Sequence, residues 1–144
     1  MNIELTCLAA SAVLCLALPL VYVAMYQKQV GFPVVSGNRE DAPGPTGAAG
    51  RGLRAHRNLI ENLVPFAIAV MLARAAGVSN TMTIIGAELF LAARLVHAIT
   101  YFLGITGIHT LAYFAGVVGT AFAGVVGTAF AGVVGTALIF LQLL

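Results

Sequence analysis

The chain has 144 residues, of which 60% are hydrophobic and only 8% are charged, and its net charge is +2. Soluble domains contain about 25% charged residues, so this composition indicates a membrane protein. Five of the seven lysines and arginines lie between residues 28 and 57, beside apolar segments. Basic residues in that position flank membrane spans, and the pattern excludes a nucleic-acid-binding surface.

The first apolar segment, residues 3–26, is long enough to cross about 30 Å of hydrocarbon as a helix. It lacks the basic region and cleavage site of a signal peptide, so we expect it in the mature protein. Cys7 and Cys15 stand eight residues apart in this segment, which separates their Cα atoms by about 12 Å. That distance excludes a disulfide within one chain, and both are predicted to be packing or lipid-facing residues.

A loop is predicted at residues 27–52, because SGNREDAPGPTGAAGRG is rich in glycine, proline and charge. Further spans are predicted at residues 53–76, 80–103 and 109–144, joined by tight turns. The sequence therefore predicts an all-α, integral membrane four-helix bundle, with residues 1–144 forming a single transmembrane domain. The basic residues of the first loop predict a multi-pass protein with that loop in the cytoplasm and both termini outside.

Polar residues recur in the second and third spans, where ionisable groups are costly and often functional. Each set shares one helix face, because its members stand three or four residues apart. The sets are Arg54, Asn58 and Glu61 in the second span, and Arg94, His97 and Tyr101 in the third. Singly, each residue fits packing or anchoring as well as function, but together they favour a small charged ligand, with Glu61 and Arg94 paired between the helices. No metal site is predicted, because the histidines have no carboxylate or thiol at ligand spacing.

The last span contains the unit FAGVVGTA three times in identical form, at residues 114–137. With one copy it would cross the membrane, whereas residues 109–144 make a helix of about 54 Å, which is overlong by about 24 Å. Each unit turns an α-helix by about 800°, so two additional units are predicted to rotate the final residues by about 160°. We expect that deleting two copies, which are either natural duplications or an engineered insertion, preserves assembly and ligand binding.

The pattern RAHRN, with Glu61 three residues after Asn58, and the later ARLVHAITYFLGI resemble the MAPEG family of membrane-associated eicosanoid and glutathione enzymes. The resemblance covers nearly the whole chain except the additional repeats, and it implies a bacterial-type member in the bacterial inner membrane. It also implies a homotrimer in contact with membrane lipids, with glutathione sites between subunits near the cytoplasmic face. By this resemblance, the residues that would hold glutathione as co-substrate are Arg54, Asn58, Glu61, Arg94, His97 and Tyr101.

The chain departs from this family where the fourth helix starts. Active relatives carry an arginine there, in patterns such as IRS or LRT, whereas this chain reads IHT. His109 takes the place of the arginine and Thr110 follows it, so these are the candidate catalytic residues. Histidine supplies positive charge only partly at neutral pH, so two functions stay open. One is a glutathione-dependent transferase or peroxidase acting on lipophilic electrophiles or lipid hydroperoxides, and the other is a non-catalytic membrane scaffold or binding protein, including an engineered helix-extended variant.

Overall fold

A computed structural model describes residues 2–127 and residue 129, and the regular secondary structure in these ranges is helical. The helices are Ile3–Val30 (α1), Phe32–Ser36 (α2), Gly47–Ala75 (α3), Thr81–Leu103 (α4) and Ile108–Ala121 (α5), and α5 continues into a π-helix at Phe122–Val126. Four segments are long and apolar enough to cross a membrane, namely α1, α3, α4 and Ile108–Val126. The predicted all-α membrane four-helix bundle is confirmed.

The connection between the first two long helices is shorter than the loop predicted at residues 27–52. α1 continues to Val30, α2 occupies five residues of the connection, and α3 already begins at Gly47. Gly50 and Gly52 of GAAGRG, a segment whose composition predicted a loop, pack inside the bundle instead, whereas Gly47 is exposed at the start of α3. A methyl group on Gly52 would lie 2.5 Å from the Phe102 ring and 2.7 Å from Tyr22 Cβ. Close helix packing therefore explains glycines that helix propensity alone reads as helix-breaking.

Hydrogen bonds tie the remaining loop to the end of α1. The buried Tyr26 donates its hydroxyl to the Pro43 carbonyl oxygen at 2.5 Å. The Gln29 side chain donates to the Thr46 carbonyl oxygen at 3.1 Å and accepts from the Thr46 backbone N–H at 3.2 Å. These bonds fix the loop-side ends of α1 and α3 relative to each other.

Two apolar clusters form the core between α1, α3 and α4. In the cluster farther from the loop, the Phe66 and Phe90 rings are fully buried and stack with centroids 3.8 Å apart. Cys7 of α1 and Ala123 of the π-helix pack against the same cluster. The cluster nearer the loop consists of Leu18, Leu59 and Ala98.

Glycines bring α4 and the last span into backbone contact. A Cβ on Gly119 would lie 2.7 Å from the Phe90 backbone nitrogen and 2.8 Å from the Gly86 carbonyl oxygen. In the second copy of the repeat, Gly127 again faces α4, where its Cβ would collide with the Thr83 side chain. Small residues allow such close approach between membrane helices.

The π-helix explains why Gly119 and Gly127, which are eight residues apart, both face α4. Eight residues of an α-helix overshoot two full turns by about 80°. A π-turn takes in one additional residue, so the unit advances as seven residues would and stops about 20° short of two turns. The prediction that each unit rotates the helix by about 80°, which assumed a continuous α-helix, is therefore wrong between the first two copies. The third copy, residues 130–137, and the end of the predicted overlong helix lie outside the described residues.

Candidate functional site

Arg94 of α4 is a buried cation that links three helices. Its Nη1 donates to Asn58 Oδ1 of α3 at 2.9 Å, and its Nη2 donates to the carbonyl oxygens of Tyr113 at 2.9 Å and Ala112 at 3.4 Å. The side chain is 2% exposed, and Nε has no hydrogen-bond partner among the described residues. A Cβ on Gly116 would occupy the place of the guanidinium, so the first repeat unit leaves the space that this charge requires.

The structure does not pair Arg94 with Glu61 within one chain. Glu61 is exposed, whereas the hydrogen bonds of Arg94 go to Asn58 and to α5. The reason is rotation about α3, because Glu61 stands two residues, or about 200°, from the buried Leu59. The expected pair is therefore replaced by Arg94 and Asn58, and only part of the predicted polar face turns inward.

Three ring side chains meet where α4 ends and α5 begins. The ring centroids of Tyr101 and His109 are 4.8 Å apart, those of His97 and Tyr101 are 4.9 Å apart, and those of His97 and His109 are 6.2 Å apart. His109 Nδ1 lies 3.1 Å from the Ile105 carbonyl oxygen. A carbonyl only accepts, so Nδ1 is assigned the proton and Nε2 of the neutral ring is free to accept another.

A cavity of about 150 Å³ opens beside these rings, lined by Arg51, Arg54, Tyr101 and His109 and by the turn at residues 104–106. Arg51 Nε donates to the Tyr101 carbonyl oxygen at 3.0 Å, and its Nη2 donates to that of Phe102 at 3.0 Å, at the C-terminal end of α4. Two guanidinium groups and an imidazole suit this cavity to an anionic group. Its volume is below the roughly 300 Å³ of ordinary small-molecule sites, so one chain supplies only part of a site for a tripeptide.

The predicted site residues thus divide into three groups. Arg54, Tyr101 and His109 line the cavity with His97 behind them, the buried Arg94 is bonded to the half-buried Asn58, and Glu61 and Thr110 are exposed. Arg51 was missed because the predicted span began at residue 53. Its position one turn before Arg54, on the same helix face, was the available signal.

Two exposed carboxylates stand within the candidate membrane spans, Glu61 in α3 and Glu88 in α4. Glu88, seven residues from the start of α4, was also missed by sequence reasoning. A charge facing hydrocarbon is costly, so both positions need cover by protein or water.

The α1–α3 interface contains a thiol and an imidazole that the sequence did not connect. Cys15 Sγ lies 3.7 Å from His56 Nε2, because antiparallel packing brings residues 41 positions apart together. Spacing along the chain could not indicate this pair, because its two residues lie on different helices. Within the described ranges, no group of three or more metal-ligating side chains was found.

Comparison with known families supports the relationship that the residue pattern indicated. The profile of the MAPEG family matches residues 4–141, a range that includes all of the cavity-lining residues. No curated protein matched the chain. Since the match extends over nearly the entire multi-pass membrane bundle, the chain belongs to the MAPEG family.

Proposed function

We propose that the protein is a membrane-bound, glutathione-dependent transferase or peroxidase acting on lipophilic electrophiles or lipid hydroperoxides. Membership of the MAPEG family supports glutathione as the co-substrate. The observation that carries the proposal is the cavity where His109 and Tyr101 meet Arg51 and Arg54. The guanidinium of Arg54 is matched in charge and shape to a carboxylate of the tripeptide, while His109 faces its thiol.

His109 activates the thiol by accepting its proton. A free thiol has a pKa near 8.5, so at neutral pH only a small fraction is ionised without help. With Nδ1 bonded to the Ile105 carbonyl oxygen, Nε2 takes the thiol proton and the imidazolium formed stabilises the thiolate. The thiolate then forms a sulfur–carbon bond with an electrophile that enters from the bilayer, while a carbon–carbon π bond opens or a leaving group departs with its electron pair, and the imidazolium returns its proton to the group that receives that pair.

The site is completed by other copies of the chain in a homotrimer. The cavity of one chain holds only part of a tripeptide, and Glu61 lies outside it, exposed on α3. The same face of α3 continues into an apolar groove of about 460 Å³, lined by Pro65, Ile68 and Leu72 with Val117 of α5. A neighbouring copy on this groove removes Glu61 from lipid and gives it the ammonium group of glutathione as a partner.

The loop-side end of the bundle is assigned to the cytoplasmic face of a bacterial inner membrane. Lys28, Arg39, Arg54 and Arg57 are exposed at or near this end, and basic residues favour the cytoplasmic side. Glutathione is a cytosolic thiol, so this orientation places the cavity on the side of its supply.

A binding experiment with detergent-purified protein tests the proposal. Calorimetric titration is expected to show saturable glutathione binding, and Arg54→Ala is expected to weaken it about tenfold, because one charge-assisted contact is lost. Arg57→Ala is the matched control, since Arg57 is also exposed on α3 but does not line the cavity. Absence of binding to the unaltered protein, or equal loss in both variants, would contradict the assignment of the site.

The second candidate function is a non-catalytic binding or scaffold protein. It is favoured by His109, which replaces the permanent charge of an arginine, and by the buried Arg94, whose donors are directed at Asn58 and α5. Difference absorbance at saturating glutathione separates the two functions. A thiolate signal near neutral pH supports the enzyme, and binding without that signal supports the second candidate.

A further inference from the structure

Cys15 and His56 form a thiol–imidazole pair away from the proposed glutathione cavity. The 3.7 Å between Sγ and Nε2 is a hydrogen-bond distance for sulfur, and neither residue lines the cavity. The ring of Tyr22 lies beside His56, with centroids 5.8 Å apart. In the tautomer whose Nε2 is unprotonated, the thiol donates directly to the imidazole.

We propose that Cys15 and His56 are a second nucleophilic site, which is modified covalently by lipophilic α,β-unsaturated carbonyl compounds. The proton of the Cys15 thiol passes to His56 Nε2 as sulfur attacks the β-carbon. A sulfur–carbon bond forms, the carbon–carbon π bond opens, and the α-carbon takes a proton from the imidazolium, which restores the neutral ring. The sum is one addition with no oxidant or leaving group, and it follows the rule that an adjacent base activates a thiol.

The position of the pair gives such compounds access from the bilayer. Cys15 is partly exposed, and its neighbour Leu16 is 72% exposed on the surface of α1. Membrane-partitioned electrophiles therefore reach the sulfur without passing through the glutathione cavity. Cys7 provides an internal contrast on the same helix, because it is 6% exposed and packs with Phe66 and Phe90.

The test uses the full-length protein in lipid nanodiscs, without glutathione, and N-ethylmaleimide as the probe. Cys7→Ala leaves Cys15 as the reporter, and Cys15→Ala leaves Cys7, so intact-mass spectrometry gives the rate at each thiol. We expect Cys15 to react faster than Cys7, and His56→Gln to slow Cys15 about tenfold or more by removing the base. The rate at Cys7 should not change with His56→Gln.

His56→Phe is the second variant, because it keeps an aromatic ring beside Tyr22 while it removes the proton acceptor. A tenfold loss at Cys15 in both variants, with Cys7 unaffected, supports the pair. The proposal is overturned if Cys7 reacts as fast as Cys15, if both variants keep the Cys15 rate within twofold, or if both thiols change by the same factor. Because glutathione is absent, failure here is distinguishable from failure of the proposed enzyme function.

Discussion

Arg94 introduces a charge that is expensive to bury unless its donors are satisfied, since desolvation costs several kcal/mol per ion. Asn58 and two carbonyl oxygens of α5 accept from Nη1 and Nη2, whereas Nε has no partner among the described residues, and Gly116 supplies the space. With 2% exposure, Arg94 holds Asn58 in position within the bundle.

We predict that Gly116→Ala destabilises the protein by about 2 kcal/mol, because the new methyl group displaces the Arg94 guanidinium. Thermal unfolding in detergent measures the change. Gly44→Ala is the matched control, because a Cβ at Gly44 meets no atom within 4 Å. Equal unfolding temperatures for the two variants would show that Arg94 has room to move.

We predict that His109→Ala lowers, and His109→Arg raises, the thiolate absorbance of bound glutathione at neutral pH. The alanine removes the proton acceptor beside Tyr101, whereas arginine supplies a permanent charge. Unchanged absorbance in His109→Ala at saturating glutathione would contradict the role of His109 and direct attention to Thr110.

The limits of sequence reasoning at the site are visible in α3. The spacing of Arg54, Asn58 and Glu61 places them on one face of the helix. Residues on one face still differ in direction around the helix axis, so they contact different neighbours. Asn58 turns toward Arg94 and Glu61 remains exposed. Contacts between helices depend on their rotation and register, so the pair of Cys15 and His56 was not predictable from spacing along the chain.

At the scale of the helix, the π-turn keeps the repeat in phase with α4. We predict that deleting Val126 is well tolerated, because an α-helical turn of seven residues then spans Gly119 to Gly127 and replaces the π-turn. The glycine contacts with α4 then stay intact, so the unfolding temperature should change little.

The control for this prediction is deletion of Val118, the same position in the first copy, which lies in regular α-helix. That deletion rotates the following residues by about 100° and moves Gly119 away from Phe90. A lower unfolding temperature for the Val118 deletion than for the Val126 deletion supports the phase argument, and the reverse order contradicts it.

The first turn of α4 is anchored to α1 by the buried Glu4. Thr83 donates to Glu4 Oε1 at 2.6 Å and also accepts from the Asn80 N–H, while Ser79 donates to the same carboxylate oxygen at 2.8 Å. We predict that Thr83→Val costs about 2 kcal/mol, because it removes the hydroxyl that accepts from the Asn80 N–H in the cap of α4 and that donates to Glu4.

Ser79→Ala is the comparison for Thr83→Val, since Ser79 is exposed and makes one of these bonds. Chemical or thermal unfolding should rank the loss for Thr83→Val above that for Ser79→Ala. Equal losses would show that the cap of α4 contributes little.

Helix existence was predictable from the sequence because runs of about 20 apolar residues permit little else in a membrane. The bounds of α4 match the span predicted at residues 80–103 closely. The start of α3 did not, because Gly50 and Gly52 are helical for reasons of packing that propensity does not contain. The π-helix likewise depends on contacts with α4 rather than on local sequence.

For the whole molecule, the presence of the second repeat copy decides which residues of the last span pack against α3 and α4. We predict that removing eight residues, which leaves two copies, preserves the unfolding temperature and glutathione binding. The first two copies would keep all the described glycine contacts. Removing sixteen residues is expected to lower the unfolding temperature, because Phe140 then takes the place of Gly124, whose Cβ would lie 2.5 Å from that of Ala69.

The sequence, from its length and periodicity, predicted only that loss of both additional copies preserves assembly and ligand binding, whereas the structure adds an expected loss of stability. Thermal unfolding, size-exclusion chromatography and calorimetric titration of both deletions check it. Equal stability of the two deletions would show that the second copy is dispensable for packing. The cavity lies at the opposite end of the bundle, so any folded variant should still bind glutathione.

The π-turn also bears on how such a gene can change. Tandem identical units gain or lose whole copies by replication slippage, and a step of eight codons would ordinarily turn the distal helix away from its neighbours. The π-turn in the second copy cancels that rotation, so adding this unit lengthens the helix by about 11 Å while the same side of the helix packs against α4. Alleles with different copy numbers would then share the end of the bundle that contains the cavity and differ in the length of the last span.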